Sequence, residues 1–311
     1  MQLKKLPKIL PDSNNAGLTL QNGFYAFKVA ENIGVARHIV VNRNGDLYVK
    51  LEQLRNKKGI LFLRDLNKDG RIDNISSFGN FIGTGIGIYK DYLYASSDDE
   101  IYRFRLNRDQ EVIDADNPEK IVTGLINRRA HTSKAFTFDK IGNLYVNIGA
   151  YSNSCQIIEN KIGSLGKNPC PILDSAGGIW QFKADIPNQT YANGVRYATG
   201  LRNVVGLDWN TQTNKLFVTQ HGRDQLNNLF PKFYDDKANA ELPAETMYEI
   251  NQGDNAGWPY VYFDNQQNKL ILAPEYGGDG QKEPTSTYKQ PAMAFPAHMA
   301  PMRMAFGMPL V

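Results

Sequence analysis

"IGNLYVNIG" (141–149) sets a Gly-Asn turn in front of an aromatic, alternating apolar run. The turn supplies the positive φ that a tight hairpin needs, and the alternation is the period of a strand. The same pattern stands at "NGDLYVKL" (44–51), "KDYLYASS" (90–97) and "TNKLFVTQ" (213–220). Each follows an earlier apolar run: "RHIVVNR" (37–43), "GIGIYK" (85–90), "KAFTFDK" (134–140) and "VVGLDWN" (204–210). Each is also followed by another: "GILFLRD" (59–65), "EIYRFRL" (100–106), "GGIWQFKA" (177–184) and "TMYEINQ" (246–252).

Leu47, Leu93, Leu144 and Leu216 mark the repeat, spaced 46, 51 and 72 positions apart. A four-stranded unit recurring at roughly 40 to 50 residues is the mark of a β-propeller, whereas a β-sandwich predicts no such repetition. The longest gap leaves room for an insertion at about 151–176, which carries both cysteines. The expectation is one all-β propeller domain over residues 1–311, with about four and a part blades. "PMRMAFGMPLV" (301–311) reads as the first strand of a fifth, so the C-terminal blades are expected to be missing.

Composition removes several function classes. Lys and Arg number 35 against 32 acidic residues, a formal charge of +3, too small and scattered for a nucleic-acid partner. No apolar stretch approaches the roughly 18 residues needed to span a membrane. "MQLKKLPKIL" (1–10) has basic residues but no hydrophobic run of the kind a signal peptide needs, which leaves the compartment open. Cys155 and Cys170 lack the partners of a metal knuckle. They can form a disulfide or stay as free thiols; the disulfide is the expectation, and it would argue for an exported protein.

Four stretches are candidate sites. His131 lies in "RRAHTSKAF" (128–136), just before a hairpin, where it is either an inert loop residue or a base aimed into a cleft. "TGLRNVVGLDW" (199–209) places Arg202 and Asn203 at the equivalent strand entry, facing one end of a central channel. "QHGRD" (220–224) leaves its strand through His221, Gly222 and Arg223, where backbone carbonyls could meet a hard cation such as calcium, or where His221 could simply pair with Asp224. "DLNKDGRID" (65–73) has oxygen-bearing side chains at Asp65, Asn67, Asp69 and Asp73, like the start of a weak calcium loop. Its twelfth position is Ser76 instead of Glu, so a plain turn is the competing reading.

"ARHIVVNRNGDLYV", "HTSKAFTFDKIGNLYVNIGA", "YATGLRNVVGLDWN", "QHGRDQL", "GDNAGWPY" and "FPAHMAP", in this order, carry a resemblance. From about residue 23 to 306 the chain resembles the sorbosone dehydrogenase branch of the soluble glucose dehydrogenases, six-bladed propellers that use pyrroloquinoline quinone. The resemblance implies an oxidoreductase acting on an aldose or a sugar-derived aldehyde, by hydride transfer to the quinone. It implies His131 as general base, with Arg202 steadying negative charge. Arg202, Asn203, His221 and Gly222 would contact the cofactor, and the backbone carbonyls of Gly222 and Arg223 would hold calcium. It also implies a periplasmic or secreted protein passing electrons to a cytochrome or quinone acceptor. The family's aspartate that orients the base is Ala150 here, so His131 needs another partner. The family's remaining cationic contacts to the quinone lie in its last blades. Two other readings compete: a non-catalytic propeller that binds a partner, and a calcium-dependent sugar lactonase, which would need a side-chain metal site at the channel centre.

Overall fold

The repeated runs are rich in apolar residues, and the computed structural model, which describes residues 9–128 and 130–307, folds them into antiparallel sheets. The first blade is β1 (Ala36–Val41), β2 (Leu47–Arg55), β3 (Lys58–Arg64) and β4 (Asn74–Phe78), in that order across the sheet. The second is β5 (Ile86–Tyr89), β6 (Tyr92–Ser96), β7 (Ile101–Arg105) and β8 (Glu119–Thr123). Then follow β9 (Phe136–Phe138), β10 (Asn143–Ile148), β11 (Gly178–Lys183), the short β12 (Gln189–Thr190) and β13 (Val195–Thr199). Of these, β9, β10, β11 and β13 make the third blade, while β12 reaches back to pair in parallel with β8.

The fourth blade begins with β14 (Val204–Asn210) and β15 (Lys215–Gln220). Two short helices, α1 (Leu226–Leu229) and α2 (Asp236–Glu241), come before its third strand, β16 (Glu245–Ile250). A separate hairpin of β17 (Val261–Asp264) and β18 (Lys269–Leu272) precedes its outer strand, β19 (Met293–Phe295). The innermost strands β1, β5, β9 and β14 are successive neighbours, the arrangement of blades around an axis.

Aromatic pairs lock each blade to the next. Phe78 meets Phe104 edge-on at 5.2 Å between ring centres, joining the first two blades. Tyr94 meets Phe138 at 4.8 Å, and Tyr145 stacks on Trp209 at 5.2 Å, joining the second to the third and the third to the fourth. Two of these six rings, Tyr94 and Tyr145, are the tyrosine of the repeated turn-strand pattern, which explains why that position is aromatic. Such pairs add about 0.5–1.5 kcal/mol beyond their buried area.

The insertion falls between β10 and β11, where the longest spacing placed it, and its Cys155 and Cys170 are joined in a disulfide. The expected strand over 301–311 is not there: residues 301–307 form no strand, and residues 308–311 lie outside the described part. The reason lies in what this segment's backbone bonds to. The Pro301 carbonyl accepts from the Thr219 hydroxyl at 3.3 Å and from His221 Nε2 at 3.1 Å. The Met302 carbonyl accepts from His38 Nε2 at 2.8 Å. Arg303 lies so close to Gly206 of β14 that a Cβ there would sit 3.1 Å from the arginine's backbone. The segment is a strap from the fourth blade to the first, held by side chains in place of a strand ladder. Among the described residues no helix is long and apolar enough to cross a membrane.

Candidate active site

The site is assembled where the strand-entry segments of the third and fourth blades meet. His131, at a left-handed φ of 53°, precedes β9, and Ala150 follows β10 of the same hairpin. His131 Nδ1 hydrogen-bonds the carbonyl of Ala150. A carbonyl can only accept, so Nδ1 carries the hydrogen and Nε2 keeps its lone pair. The Ala150 amide in turn donates to the Arg202 carbonyl at 2.8 Å, tying the base's holder to the next blade. Between them Gly149 has no choice of side chain. A Cβ there would lie 2.6 Å from the His131 carbonyl oxygen and 2.7 Å from its Cβ. Burial pulls the His131 pKa down to about 4, and the positive charge of Arg202 adds to the effect. The ring is therefore neutral at physiological pH.

His131 lines a cavity of about 350 Å³ together with Asn203, His221, Ser133, Asp98 and Arg37, among others. Asn203 Nδ2 donates to His221 Nδ1 at 3.4 Å, which leaves the hydrogen of that ring on Nε2, where Pro301 accepts it. Asn203 Oδ1 is buried without any partner. An acceptor closed off in this way costs about 1–3 kcal/mol.

Arg202 is placed differently from His131 and Asn203. Its side chain is only 7% exposed, and it does not line that cavity. Nε donates to the Asn153 carbonyl at 3.2 Å and Nη1 to the Gly222 carbonyl at 2.5 Å. Nη2 donates to Asn153 Oδ1 at 3.0 Å and Asp224 Oδ2 at 2.9 Å. The guanidinium thus clamps the cysteine-bearing insertion to the 220–224 loop. Asp224 is consequently a partner of Arg202, and the alternative in which it pairs with His221 is replaced by the Asn203 and Pro301 contacts.

The calcium expectation meets the same clamp. Gly222 offers its carbonyl to Arg202 and its amide to Glu245 at 3.1 Å, while Arg223 turns its own guanidinium to the fully buried Glu275. A divalent cation on the Gly222 carbonyl would face a guanidinium bonded to the same oxygen, so this arrangement does not fit one. The Asp65–Asp73 turn spends its oxygens locally. Asp65 accepts from the amides of Lys68, Asp69 and Gly70, and Asp73 from those of Leu66 and Asn67. Among the described residues no group of three or more His, Cys, Asp or Glu is placed to hold a metal ion. His38 is a satisfied buried histidine whose pKa burial pulls to about 4.

Three contributors carried no sequence signal: Asn153, Ser133 and Asp98 lie in ordinary polar loops, and only the folded blades bring them to Arg202 or to the cavity. The hairpin position of His131 and the strand entry of Asn203 were the readable part.

The fold is that of a propeller, with a neutral, oriented histidine beside Asn203 in one cavity. The chain belongs to the TrAA12-like family, whose pattern it matches over residues 18–309. It is 26% identical over 233 residues to a protein of Borreliella burgdorferi described as uncharacterized, covering 71% of this chain and 51% of that protein's length. The chain therefore spans about half the length of that curated relative. Solved structures share the fold at lower identity. The holo pyranose dehydrogenase PQQ domain from Coprinopsis cinerea matches with TM-score 0.70 at 19% identity, over 93% of this chain and 72% of that one. The calcium structure of the Trichoderma reesei carbohydrate-active enzyme of family AA12 matches with TM-score 0.66 at 16% identity, over 88% and 71%. The PQQ-bound aldose sugar dehydrogenase from Streptomyces coelicolor matches with TM-score 0.51 at 18% identity, over 86% and 70%.

Proposed function

We propose that this chain forms the base-bearing part of a sugar-oxidising site that works with pyrroloquinoline quinone, on a substrate that is an aldose or a sugar-derived aldehyde. The observation that supports it most is His131, aimed by the Ala150 carbonyl, in one cavity with Asn203 and His221. The quinone, when bound, supplies the acceptor for the two electrons that leave the oxidised carbon with its hydrogen.

His131 Nε2 takes the proton of the substrate hydroxyl, or of an aldehyde hydrate, as that carbon is oxidised. The imidazolium formed keeps its Nδ1 bond to Ala150 and gains from Asp224, whose charge favours the protonated ring. Asn203 Nδ2 fixes the tautomer of His221. Arg202 acts at one remove from the cavity, keeping Asn153 and Gly222 in place. Because the Gly222 carbonyl is taken by Arg202, calcium would have to be held by other oxygens.

In this reading residues 1–311 belong to a single propeller domain and contribute blades to the six-bladed ring that the family resemblance implies. The disulfide suits an oxidising compartment, periplasmic or extracellular, and a cytochrome or quinone would be the electron acceptor. The commitment of Arg202 to its own chain favours one other reading, a propeller that binds a sugar without oxidising it.

A titration with pyrroloquinoline quinone, with and without calcium, followed by dye reduction over a panel of aldoses, tests the proposal. Saturable cofactor binding and aldose-dependent dye reduction that His131→Ala abolishes are expected. Cofactor binding without turnover on any aldose would leave the binding-module reading in its place.

A further inference from the structure

The disulfide closes the base of an arm that the site does not use. Gln156 and Gly166 pair as an antiparallel bridge, and the chain beyond them turns back as a small hairpin. Every residue from 157 to 163 is exposed, so the arm stands out from the propeller. What it presents to solvent is aliphatic: Ile157 is 57% exposed, Ile158 52%, Ile162 68% and Leu165 61%. The Ile157 amide donates to the Leu165 carbonyl at 2.8 Å, which sets these two on facing strands, with Ile158 and Ile162 in the turn between. Single exposed aliphatics are ordinary, but four on one small arm form a patch.

The arm turns much of its backbone inward. Gln156 Nε2 donates to the carbonyls of Lys161 at 3.2 Å and Ser164 at 3.3 Å, and the Ser164 hydroxyl accepts from the Ile158 amide at 3.1 Å. The Gly163 amide donates to the Leu229 carbonyl and that of Gly166 to the Glu275 carbonyl. Backbone groups satisfied from within are the condition for entering an apolar phase, whereas a partner that added a strand would need them open. Charge points the same way. Glu159 accepts from the Ser152 hydroxyl at 2.7 Å, and Glu275 is paired with Arg223. The lysine ion pairs lie elsewhere, so among the described residues Lys161, at the tip, and Lys167, at the base, have no carboxylate partner.

We propose that this arm is a peripheral membrane anchor: its four aliphatic side chains enter the surface of a bilayer, and Lys161 and Lys167 meet anionic headgroups. Apolar side chains beside lysines are the combination that holds a protein in the plane of a membrane without crossing it. A second copy of the chain fits less well. The four side chains offer on the order of 400 Å² of surface, about half of the ~800 Å² per partner that a stable dimer buries. A two-fold contact through the arm would also bring the same unpaired lysines together. One arm gives reversible attachment, and the anchor does not depend on what the propeller oxidises.

The test floats the whole chain with vesicles of phosphatidylcholine alone and of phosphatidylcholine mixed equally with phosphatidylglycerol. The wild type is expected to float with the mixed vesicles at low salt, and Ile158→Ser with Ile162→Ser to bind them at least about tenfold more weakly. Lys161→Glu with Lys167→Glu should weaken binding to the mixed vesicles by about three- to tenfold and leave binding to phosphatidylcholine unchanged. Tryptophan placed by Ile162→Trp should be quenched by lipids brominated in their acyl chains, which adsorption through charge alone would not produce. These positions are exposed, so equal melting temperatures are expected and separate a lost anchor from a lost fold. A wild type that does not float with the mixed vesicles, or that floats equally well without the two isoleucines, overturns the anchor. So does a dimer in sedimentation equilibrium that Ile158→Ser with Ile162→Ser abolishes while no vesicle is bound, which would give the arm to a second copy.

Discussion

His131 is oriented by the backbone carbonyl of Ala150, the residue whose side chain gives it no help. The carbonyl performs what a carboxylate would: it fixes the tautomer with Nδ1 protonated and turns Nε2 to the cavity. It lacks the negative charge that would steady an imidazolium, so burial, with the charge of Arg202, holds the pKa of the ring at about 4 in spite of the Ala150 bond. The ring is thus neutral near pH 7 and, in the proposed role, would be a weak base.

His131→Ala should therefore remove turnover by at least about 100-fold, the usual contribution of a positioned general base, while leaving cofactor affinity in place. In the wild type, kcat/KM should fall only below about pH 4 to 5, without the break near 6.5 that an exposed histidine would give. A pH-rate profile that breaks near neutrality would remove His131 from the role.

Stability should follow the same histidines. His38 and His131 stay neutral in the folded protein down to about pH 4, whereas an unfolded histidine takes up its proton at 6.5. Between those values unfolding binds protons, so the contribution is fully present above about pH 6.5 and declines as the pH is lowered toward 4. Melting curves across that interval should show a falling midpoint. Arg303, which donates to His38 Nδ1 at 3.0 Å, keeps that ring from charging in place.

Arg202→Ala should behave as a structural lesion. Removing four hydrogen bonds from a nearly buried guanidinium leaves the Gly222 carbonyl without its donor, while Asn153 keeps the Trp258 indole and the Asp224 amide, at a cost of about 2–4 kcal/mol. Arg202→Lys should recover little, because an ammonium cannot reproduce the planar fork. Differential scanning calorimetry of the three proteins decides it; equal midpoints would mean that the clamp does not form in solution.

The Arg223–Glu275 pair, with side chains 4% and 0% exposed, invites a sharper comparison. Glu275→Gln leaves a buried guanidinium without its counter-charge and should destabilise by about 3–5 kcal/mol. Replacing both by apolar residues of similar size should cost much less than Glu275→Gln alone. Urea unfolding of the single and double variants would expose the opposite ordering if the pair itself supplies the stability.

Reduction should loosen the insertion. Joining Cys155 to Cys170 closes a short loop, a constraint worth about 3 kcal/mol on the unfolded chain. Because Asn153 sits two residues before Cys155, Cys155→Ser with Cys170→Ser should also weaken the grip on Arg202 and raise hydrogen exchange in 220–224. No free thiol should be titrated in the denatured, unreduced protein.

The blades were legible because one turn-strand pattern recurs, and a period-2 pattern survives translation into structure whatever surrounds it. His131 and Asn203 were legible for a related reason: their places are set by the hairpins they introduce. Arg202 shows where such reading ends. Its position at a strand entry was correct, but the direction of its side chain depends on Asn153, some fifty residues earlier in an insertion without any pattern. The 301–307 segment misled in the opposite way. Its apolar residues resemble a strand, yet side chains of His38, His221 and Thr219 take the carbonyls a ladder would need.

That strap also sets a schedule for folding. Its bonds to His38 join residues 264 and 265 positions apart, among the most distant contacts the chain makes. Closing so long a loop carries a high entropic cost, and contacts of this separation form late and slowly. On the ribosome the first three blades can pair their strands as they emerge, each from residues close in sequence. The first blade, however, must keep His38 waiting until Met302 and Arg303 have been made.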